Sequence, residues 1–282
     1  MRLQQWIKNL FLFAALVFSG HLFRTPDVVL VCTGFFFFSF AASGMYIFND
    51  IIDIRQDRLH PIKSKRPLPA GKLSVPVART ASIFLILVGV VSSFVLKRDF
   101  GIAVTSYVVL NILYSLKLKE VVILDVMTIA AGFVLRVVAG ALLIGVPTSE
   151  WLIICTILLS LFLGFSKRRH EITILEEQAN THREVLKQYS PYFLDQMISI
   201  VTASTVMSYT LYTISDETVK KFNTNLLIYT VPFVLYGIFR YLYLIHRKEE
   251  GGNPTKIALT DIPLLLNIIL WISTASLIIY WK

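Results

Sequence analysis

Three aspartates with helical spacing follow an apolar run and are the residues of this chain best suited to chemistry. Asp50, Asp53 and Asp57 are separated by three and four residues. If the preceding helix continues through them, they project from one face and span about 10 Å at ~1.5 Å per residue. Carboxylate oxygens in such an array suit Mg²⁺, which proteins hold through one or two carboxylates together with water and substrate phosphates.

Basic residues follow the last of these aspartates within ten positions. Arg58, Lys63 and Arg66 are among them, and cationic side chains bind phosphate oxygens through charge-assisted hydrogen bonds. Acids followed by bases at the end of an apolar segment therefore favour the chemistry of a Mg²⁺-bound diphosphate at a bilayer surface. The alternative is a solvated loop whose acids and bases only pair with one another.

The apolar composition identifies the environment in which this site lies. Of the 282 residues, 55% are hydrophobic and the mean hydropathy is +0.67, which is typical of a polytopic membrane protein. We predict an all-α bundle of about nine transmembrane helices. The apolar segments are 6–22, 28–48, 75–96, 100–116, 121–146, 151–165, 193–214, 226–245 and 262–280.

Positive charge is distributed unequally between the two sets of connecting segments. With the N-terminus inside, 18 of the 27 Lys and Arg residues fall on the inner side. The positive-inside rule then places the N-terminus and the Asp-rich segment in the cytoplasm of an integral protein of the cell membrane. The same asymmetry accounts for the net charge of +9 without a nucleic-acid partner.

Two long connections interrupt an otherwise compact pattern of short loops. We predict one transmembrane domain over residues 1–282, with cytoplasmic loops at about 49–74 and 166–191 that form a cap over the active site. The second loop begins with Lys167, Arg168 and Arg169, followed by Glu171. These bases either bind anionic oxygen or serve as positive-inside anchors, and the residues leave both interpretations open.

Charged residues inside the apolar segments need partners. Asp125 and Arg136 lie about 16 Å apart along one helix at ~1.5 Å per residue, so they cannot pair with each other. A charge deep in the membrane costs on the order of 3 kcal/mol by insertion scales, so we expect Arg136 to face the interior of the bundle. The sequence leaves open whether Arg136 pairs with another group of the protein or contacts substrate. Lys117, close to Tyr114, is either an anchor or a phosphate ligand.

The pattern Asn49-Asp50-x-x-Asp53-x-x-x-Asp57 resembles the first Asp-rich motif of the UbiA-type intramembrane prenyltransferase superfamily. Nine helices in two halves are similar to the architecture of that superfamily. Its aromatic prenyltransferases carry a second Asp-rich motif after the sixth helix. Here the corresponding stretch is Lys167-Arg168-Arg169-His170-Glu171, with a single carboxylate.

A basic second motif is similar to another branch of the superfamily. The opening Gln5-Trp6-Ile7-Lys8-Asn9 and the run Tyr114-Ser115-Leu116-Lys117 also resemble the decaprenyl-phosphate phosphoribosyltransferase branch. The resemblance implies Mg²⁺-dependent transfer of 5-phosphoribose from phosphoribosyl diphosphate (PRPP) to a polyprenyl phosphate, with release of diphosphate. Such a reaction needs no nucleophile from the protein.

The resemblance also implies roles for individual residues. Asp50, Asp53 and Asp57 would be the catalytic residues and would bind Mg²⁺ together with Asn49. The residues expected to contact substrate are polar or charged: Lys8, Asn49, Arg58, Lys63, Arg66, Tyr114, Lys117, Arg136, Lys167, Arg168, Arg169 and Glu171.

Two other functions compete with phosphoribosyl transfer. An aromatic prenyltransferase would take a prenyl diphosphate and make a quinone or a related lipid precursor, but the basic second motif argues against it. A transporter of an anionic metabolite would also contain intramembrane charge and two related halves. The position of the charged block at one face, away from the midplane, disfavours a transporter. The sequence leaves open whether the protein forms a homo-oligomer.

Overall fold

The computed structural model describes residues 3–59, 63–176, 184–248 and 254–281, and within these ranges the chain is helical without a strand. Twelve α-helices account for most of the described residues. They are α1 (Phe13–Phe18), α2 (Thr25–Ile52), α3 (Ile54–Leu59), α4 (Val75–Leu96), α5 (Arg98–Leu116), α6 (Leu124–Ile144), α7 (Glu150–Glu176), α8 (Pro191–Ile214), α9 (Asp216–Phe222), α10 (Val231–Lys248), α11 (Pro254–Thr260) and α12 (Ile262–Tyr280). Short 3₁₀ helices occupy Leu3–Leu12, Lys63–Lys65, Leu118–Glu120, Glu184–Gln188 and Leu226–Thr230.

Eight helical segments of the described chain are long and apolar enough to cross a membrane. The predicted all-α membrane bundle is therefore confirmed, and about nine spans agrees approximately with the structure. The difference lies at the N-terminus. The predicted segment 6–22 forms the 3₁₀ helix Leu3–Leu12 and the short helix α1, which is not one long span.

The second predicted loop begins later than expected. Residues 166–176 continue α7, because the fall in hydropathy at Lys167 reflects a change in side-chain polarity, not the end of the helix. Residues 60–62 of the first predicted loop and 177–183 of the second lie outside the described residues. The proposal that the two loops cap the active site stays a prediction.

The chain divides into two compact units, one comprising residues 1–148 and 175–189 and the other residues 149–174 and 190–282. In the first unit, α2 and α4 pack along most of their lengths. Small residues permit this approach. A Cβ atom at Gly89 would lie 2.6 Å from the backbone nitrogen of Ala41, and the Ser82 hydroxyl donates to the Gly44 carbonyl at 2.8 Å. Close contact of this kind stabilises helix pairs in membranes, where apolar side chains gain little from leaving lipid.

The second unit contains α8, α10 and α12, which are joined by polar contacts between largely apolar helices. The Trp271 indole donates to the Tyr209 hydroxyl at 2.9 Å, and that hydroxyl bonds Thr230 at 2.7 Å. The Arg240 guanidinium makes two hydrogen bonds to Asp261, at 2.8 and 3.1 Å. Asp261 also accepts from the Leu264 backbone and so caps the N-terminus of α12.

Candidate active site

The three aspartates lie where α2 passes into α3. Asp53 joins these helices, and its backbone N–H donates to the Asn49 carbonyl at 2.9 Å. The Asp57 N–H donates to the Asp53 carbonyl at 2.8 Å, so the helical i to i+4 spacing continues across the junction. Asp53 and Asp57 are buried and Asp50 is partly buried. The chain thus brings carboxylates to the end of a long apolar helix, as the spacing predicts.

Arg66 joins two of these carboxylates. Its Nη1 atom donates to Asp57 Oδ2 at 2.6 Å and to Asp50 Oδ1 at 3.3 Å. The 3₁₀ helix Lys63–Lys65 precedes Arg66, and the Arg66 N–H closes a turn onto the Lys63 carbonyl at 3.0 Å. A single cationic nitrogen therefore marks the point on which Asp50 and Asp57 converge.

A lysine outside the predicted set of site residues holds the third carboxylate. Lys119 is 4% exposed and forms an ion pair with Asp53 Oδ1. The side-chain amide of Asn49 donates to the other Asp53 oxygen at 3.0 Å, and its carbonyl accepts from the buried Ser115 hydroxyl at 3.1 Å. The Asn49 amide is thus held in one orientation beside Asp53.

Lys119 differs from its neighbour Lys117 because α5 ends between Tyr114 and these lysines. The chain tightens into the 3₁₀ helix Leu118–Glu120, which turns Lys119 inward and leaves Lys117 exposed. Helical periodicity extended past the end of α5 would place Lys119 on the face of the buried Ser115, four residues earlier, and Lys117 on the opposite side. That periodicity is the sequence signal that could have found Lys119.

The donor chemistry of this cluster fits a divalent cation. Among the described residues, no three His, Cys, Asp or Glu side chains are grouped as a preformed metal site. Asp50 and Asp57 nevertheless converge on a cationic nitrogen, and carboxylate oxygens are the ligands that Mg²⁺ prefers. Asp50, Asp57 and the adjacent Asp53 are the residues that would hold it.

Arg136 is buried in the first unit and is surrounded by neutral partners. Its guanidinium donates to Asn9 Oδ1 at 2.8 Å, to the Gly132 carbonyl at 2.7 Å and to the Tyr107 hydroxyl at 3.0 Å. Its Cζ atom also lies 4.6 Å from the Tyr107 ring centroid and 5.3 Å from that of Phe38. These contacts satisfy a charge inside the membrane-spanning part of the unit, and they favour structural pairing for Arg136.

The other candidate residues of the first unit differ in exposure. Arg58 is exposed on α3, whereas Lys63 is partly buried at the start of its 3₁₀ helix. Lys8, in the 3₁₀ helix Leu3–Leu12, and Tyr114, in the last turn of α5, are also partly buried. Their contribution to substrate binding stays a prediction.

The basic cluster after the sixth predicted span lies within α7 in the second unit. Arg168 is 1% exposed and donates to Glu171 Oε2 at 2.6 Å, while Lys167 lies 3.8 Å from the other Glu171 oxygen. Arg169 donates to Asp195 at 3.0 Å. Burial of Arg168 does not fit a simple solvated anchor, so the helix holds at least one of these bases inside the protein.

The long apolar helices are those of an integral membrane protein, and its Asp-rich segment lies at the end of one of them. The family model described as the UbiA prenyltransferase family matches residues 9–260. The chain therefore belongs to the UbiA prenyltransferase family, as the sequence motif predicted.

Named proteins are similar in sequence to this chain over nearly its whole length. It is 30% identical to the decaprenyl-phosphate phosphoribosyltransferase of Corynebacterium glutamicum, over 99% of this chain and 85% of that protein. It is also 30% identical to the decaprenyl-phosphate phosphoribosyltransferase of Mycolicibacterium smegmatis, over 100% and 92% of the respective chains.

The fold is similar to a solved structure of the same family. A UbiA homolog from Archaeoglobus fulgidus, bound to GPP and Mg²⁺, superposes with a TM-score of 0.72. The match covers 99% of this chain and 97% of the other at 18% sequence identity. At that identity the comparison establishes a common fold, and the bound ligands are those of the archaeal protein.

Proposed function

We propose that the protein transfers 5-phosphoribose from PRPP to a polyprenyl phosphate similar to decaprenyl phosphate, with release of diphosphate. The observation that carries the proposal is the 30% identity to decaprenyl-phosphate phosphoribosyltransferases over essentially the full chain. The Asp-rich site supports it, because a diphosphate leaving group needs cationic partners and this site joins carboxylates with Arg66 and Lys119.

The reaction exchanges one bond at the anomeric carbon of the ribose. A lipid phosphate oxygen forms a bond to C1, and the bond from C1 to the diphosphate oxygen breaks with its electron pair leaving on diphosphate. A phosphate monoester is already ionised near neutral pH, so the protein need not supply a strong base. Mg²⁺, when bound, would stabilise negative charge on the departing diphosphate.

Different residues of the first unit would bind the metal ion and the diphosphate of PRPP. Asp50, Asp53 and Asp57 would hold Mg²⁺, and the fixed Asn49 amide would keep Asp53 in place. Lys119 and Arg66 lie beside these carboxylates and would offset charge on the diphosphate oxygens. Preorganised groups of this kind stabilise charge without reorganising during the reaction.

The remaining phosphates require further basic groups. PRPP has a 5-phosphate besides its diphosphate, and the lipid acceptor has a phosphate of its own. The candidates are residues of the predicted basic set that are at least partly buried: Lys8, Lys63, Lys167, Arg168 and Arg169. The positive-inside pattern supports a cytoplasmic active site, where a water-soluble phosphoribosyl donor is available.

Product analysis tests the proposal. The protein, purified in detergent, is incubated with Mg²⁺, PRPP and decaprenyl phosphate, and the lipids are analysed by mass spectrometry. We expect a phosphoribosylated lipid that is lost when EDTA is present. A parallel reaction supplies geranyl diphosphate and an aromatic acceptor. Prenylation there, with no phosphoribosyl lipid in the first reaction, would replace the proposal with the aromatic prenyltransferase alternative.

A further inference from the structure

A tyrosine outside the predicted site is tied to the turn that carries Lys119. Tyr189 follows the 3₁₀ helix Glu184–Gln188, which belongs to the first unit. Its hydroxyl donates to Asp125 Oδ1 at 2.7 Å and accepts from the backbone N–H of Ile123 at 2.7 Å. Both partners lie at the beginning of α6. One phenol group thus connects two chain segments that are more than 60 residues apart.

Apolar packing holds this tyrosine in position. Val185 is fully buried and Leu186 is 8% exposed, so the short helix before Tyr189 is anchored by its side chains. Tyr189 itself is 5% exposed. The hydrogen bond to Asp125 is therefore buried, where hydrogen bonds are strong and their loss is costly, and the bond from Ile123 is partly buried.

The two partners of Tyr189 both depend on an external hydrogen bond. Ile123 has φ +69°, a left-handed conformation that β-branched residues rarely adopt, and it stands where α6 has N–H groups without helical acceptors. Asp125 is fully buried, and a buried carboxylate needs donors. The Tyr189 hydroxyl serves both and holds the turn in its strained form.

The strained turn is only a short distance along the chain from Lys119. Three residues separate Lys119 from Ile123, and the intervening chain is closed by hydrogen bonds from the Glu120 and Val121 N–H groups at 3.0 and 3.3 Å. A change in the backbone at Ile123 must therefore be absorbed at or near the 3₁₀ helix Leu118–Glu120. This helix turns Lys119 toward Asp53.

We propose that Tyr189 is a positioning residue for the Asp-rich site: by fixing the turn before α6, its hydroxyl holds Lys119 against Asp53. Residues 184–189 would then control a cationic group of the donor site without contacting substrate. The consequence for activity rests on the proposed function. The consequence for the burial of Lys119 does not, and it can be measured separately.

Chemical labelling of Lys119 tests the proposal without an activity assay. The purified protein is treated briefly with an amine-acylating reagent, and the modification of Lys117 and Lys119 is compared by peptide mass spectrometry. In the protein of original sequence, the exposed Lys117 should react fast with the reagent and the buried Lys119 slowly. Tyr189→Phe keeps the ring and removes both hydrogen bonds, so labelling of Lys119 should rise several-fold relative to Lys117.

Tyr209→Phe is the matched control. Tyr209 is also a buried tyrosine whose hydroxyl makes two side-chain hydrogen bonds, to Thr230 and Trp271, but it lies in the second unit. This substitution should lower the melting temperature while leaving the Lys119 to Lys117 ratio unchanged.

Asp125→Asn provides a second variant if Tyr189→Phe does not fold. It should also raise the Lys119 to Lys117 labelling ratio, but by less than the several-fold rise expected for Tyr189→Phe. If the variant that folds keeps the labelling ratio of the original protein, the proposal is overturned.

A double-mutant cycle measures the effect of Tyr189 on activity. Tyr189→Phe and Lys119→Gln should each lower kcat/KM for PRPP about tenfold, the range seen when groups supporting a site are removed. Because Tyr189 acts through Lys119, the double variant should be no worse than the worse single variant. Losses of kcat/KM that multiply in the double variant would show that Tyr189 acts by another route and would contradict the proposal.

If the protein of original sequence makes no phosphoribosyl lipid, the proposed function fails, while the Lys119 to Lys117 labelling ratio still decides the role of Tyr189.

Discussion

At the residue scale, acidic and basic side chains of the candidate site are already paired before any substrate binds. Asp57 and Asp53 are nearly inaccessible and contact Arg66 and Lys119, and the partly buried Asp50 lies 3.3 Å from Arg66. Buried ion pairs of this kind pay a desolvation cost that their attraction only partly offsets. The arrangement is therefore better explained by a need for both charges at one place than by stability.

Asp50→Asn should separate function from folding. Asparagine keeps an oxygen that accepts from Arg66 but removes the charge that a divalent cation requires, so we expect kcat/KM to fall about 100-fold or more. The melting temperature should stay close to that of the original protein. Asp99→Asn, at an exposed aspartate in the first turn of α5, is the matched control and should leave turnover intact. Normal turnover in Asp50→Asn would contradict the assignment of the metal site.

Arg136→Leu should instead destabilise the protein. The substitution removes the guanidinium donor to Asn9, Tyr107 and the Gly132 carbonyl, and each lost hydrogen bond to a charged group costs about 1.5–3 kcal/mol. We expect a lower melting temperature and faster proteolysis of the segment Leu3–Leu12, which Asn9 ties to α6.

The exposed Arg98 provides the control for Arg136, because Arg98→Leu also removes one guanidinium from the first unit but breaks no buried network. An Arg136→Leu protein with an unchanged melting temperature and a raised KM for PRPP or for the lipid would identify Arg136 as a substrate ligand, contrary to the structural role assigned above.

Residue spacing predicted the helical register of the three aspartates but could not identify their partners. The i, i+3, i+7 pattern depends only on local helix geometry, and it survives the junction at Asp53. The pairing of Lys119 with Asp53 joins residues 66 positions apart and depends on where α5 ends. Likewise, the inward position of Arg136 followed from the cost of burying charge, whereas its partner Asn9 depends on how the N-terminal segment packs.

At the element scale, close helix packing in the first unit depends on residues without large side chains. A methyl group at Gly89 would lie 2.6 Å from the Ala41 nitrogen and 2.8 Å from the Phe37 carbonyl oxygen, both backbone atoms that cannot move independently. Because α2 carries Asn49 and Asp50 at its end, displacement of α2 from α4 would also move the candidate site.

Gly89→Ala should therefore lower the free energy of unfolding by about 1–3 kcal/mol, as overpacking does elsewhere. Gly132→Ala is the matched control, because its added methyl group would find its nearest neighbours at 3.6 and 3.8 Å, which is ordinary contact. Thermal unfolding in detergent measures both variants. Equal stability of Gly89→Ala and the original protein would show that α2 and α4 can separate without cost.

The helices themselves were largely predictable because apolar runs of membrane-spanning length form helices wherever backbone groups cannot reach water. Two elements departed from this rule. The N-terminal segment is apolar but forms a 3₁₀ helix and one short α-helix against α6, where Leu12 contacts Gly140. Helix α7 extends past its apolar part, because Arg168 and Glu171 pair at i, i+3 and favour the helical conformation.

At the scale of the whole molecule, the distribution of positive charge predicts its orientation. We expect the connection that contains Lys65 to face the cytoplasm and the connection that contains Asn225 to face the opposite side. Both residues are exposed, so each is suitable for conversion to cysteine. Cys32 and Cys155 would first be replaced by alanine.

A membrane-impermeant maleimide applied to intact spheroplasts measures the orientation. Asn225→Cys should be labelled directly, and Lys65→Cys only after the membrane is opened. Variants that also retain activity show that the labelled orientation is the working one. The reverse labelling pattern would place the Asp-rich site outside the cell and contradict the proposed access of a cytoplasmic phosphoribosyl donor.

Two labels followed in one reaction can show whether phosphoribose moves to a lipid phosphate while diphosphate leaves. PRPP carrying ¹⁴C in its ribose and ³²P in the terminal phosphate of its diphosphate is incubated with the purified protein, Mg²⁺ and decaprenyl phosphate. We predict that ¹⁴C enters the organic phase with the lipid and ³²P remains in water as diphosphate, in equal molar amounts. Both labels in the lipid, or neither label in the lipid while the protein prenylates an aromatic acceptor, would contradict phosphoribosyl transfer with release of diphosphate.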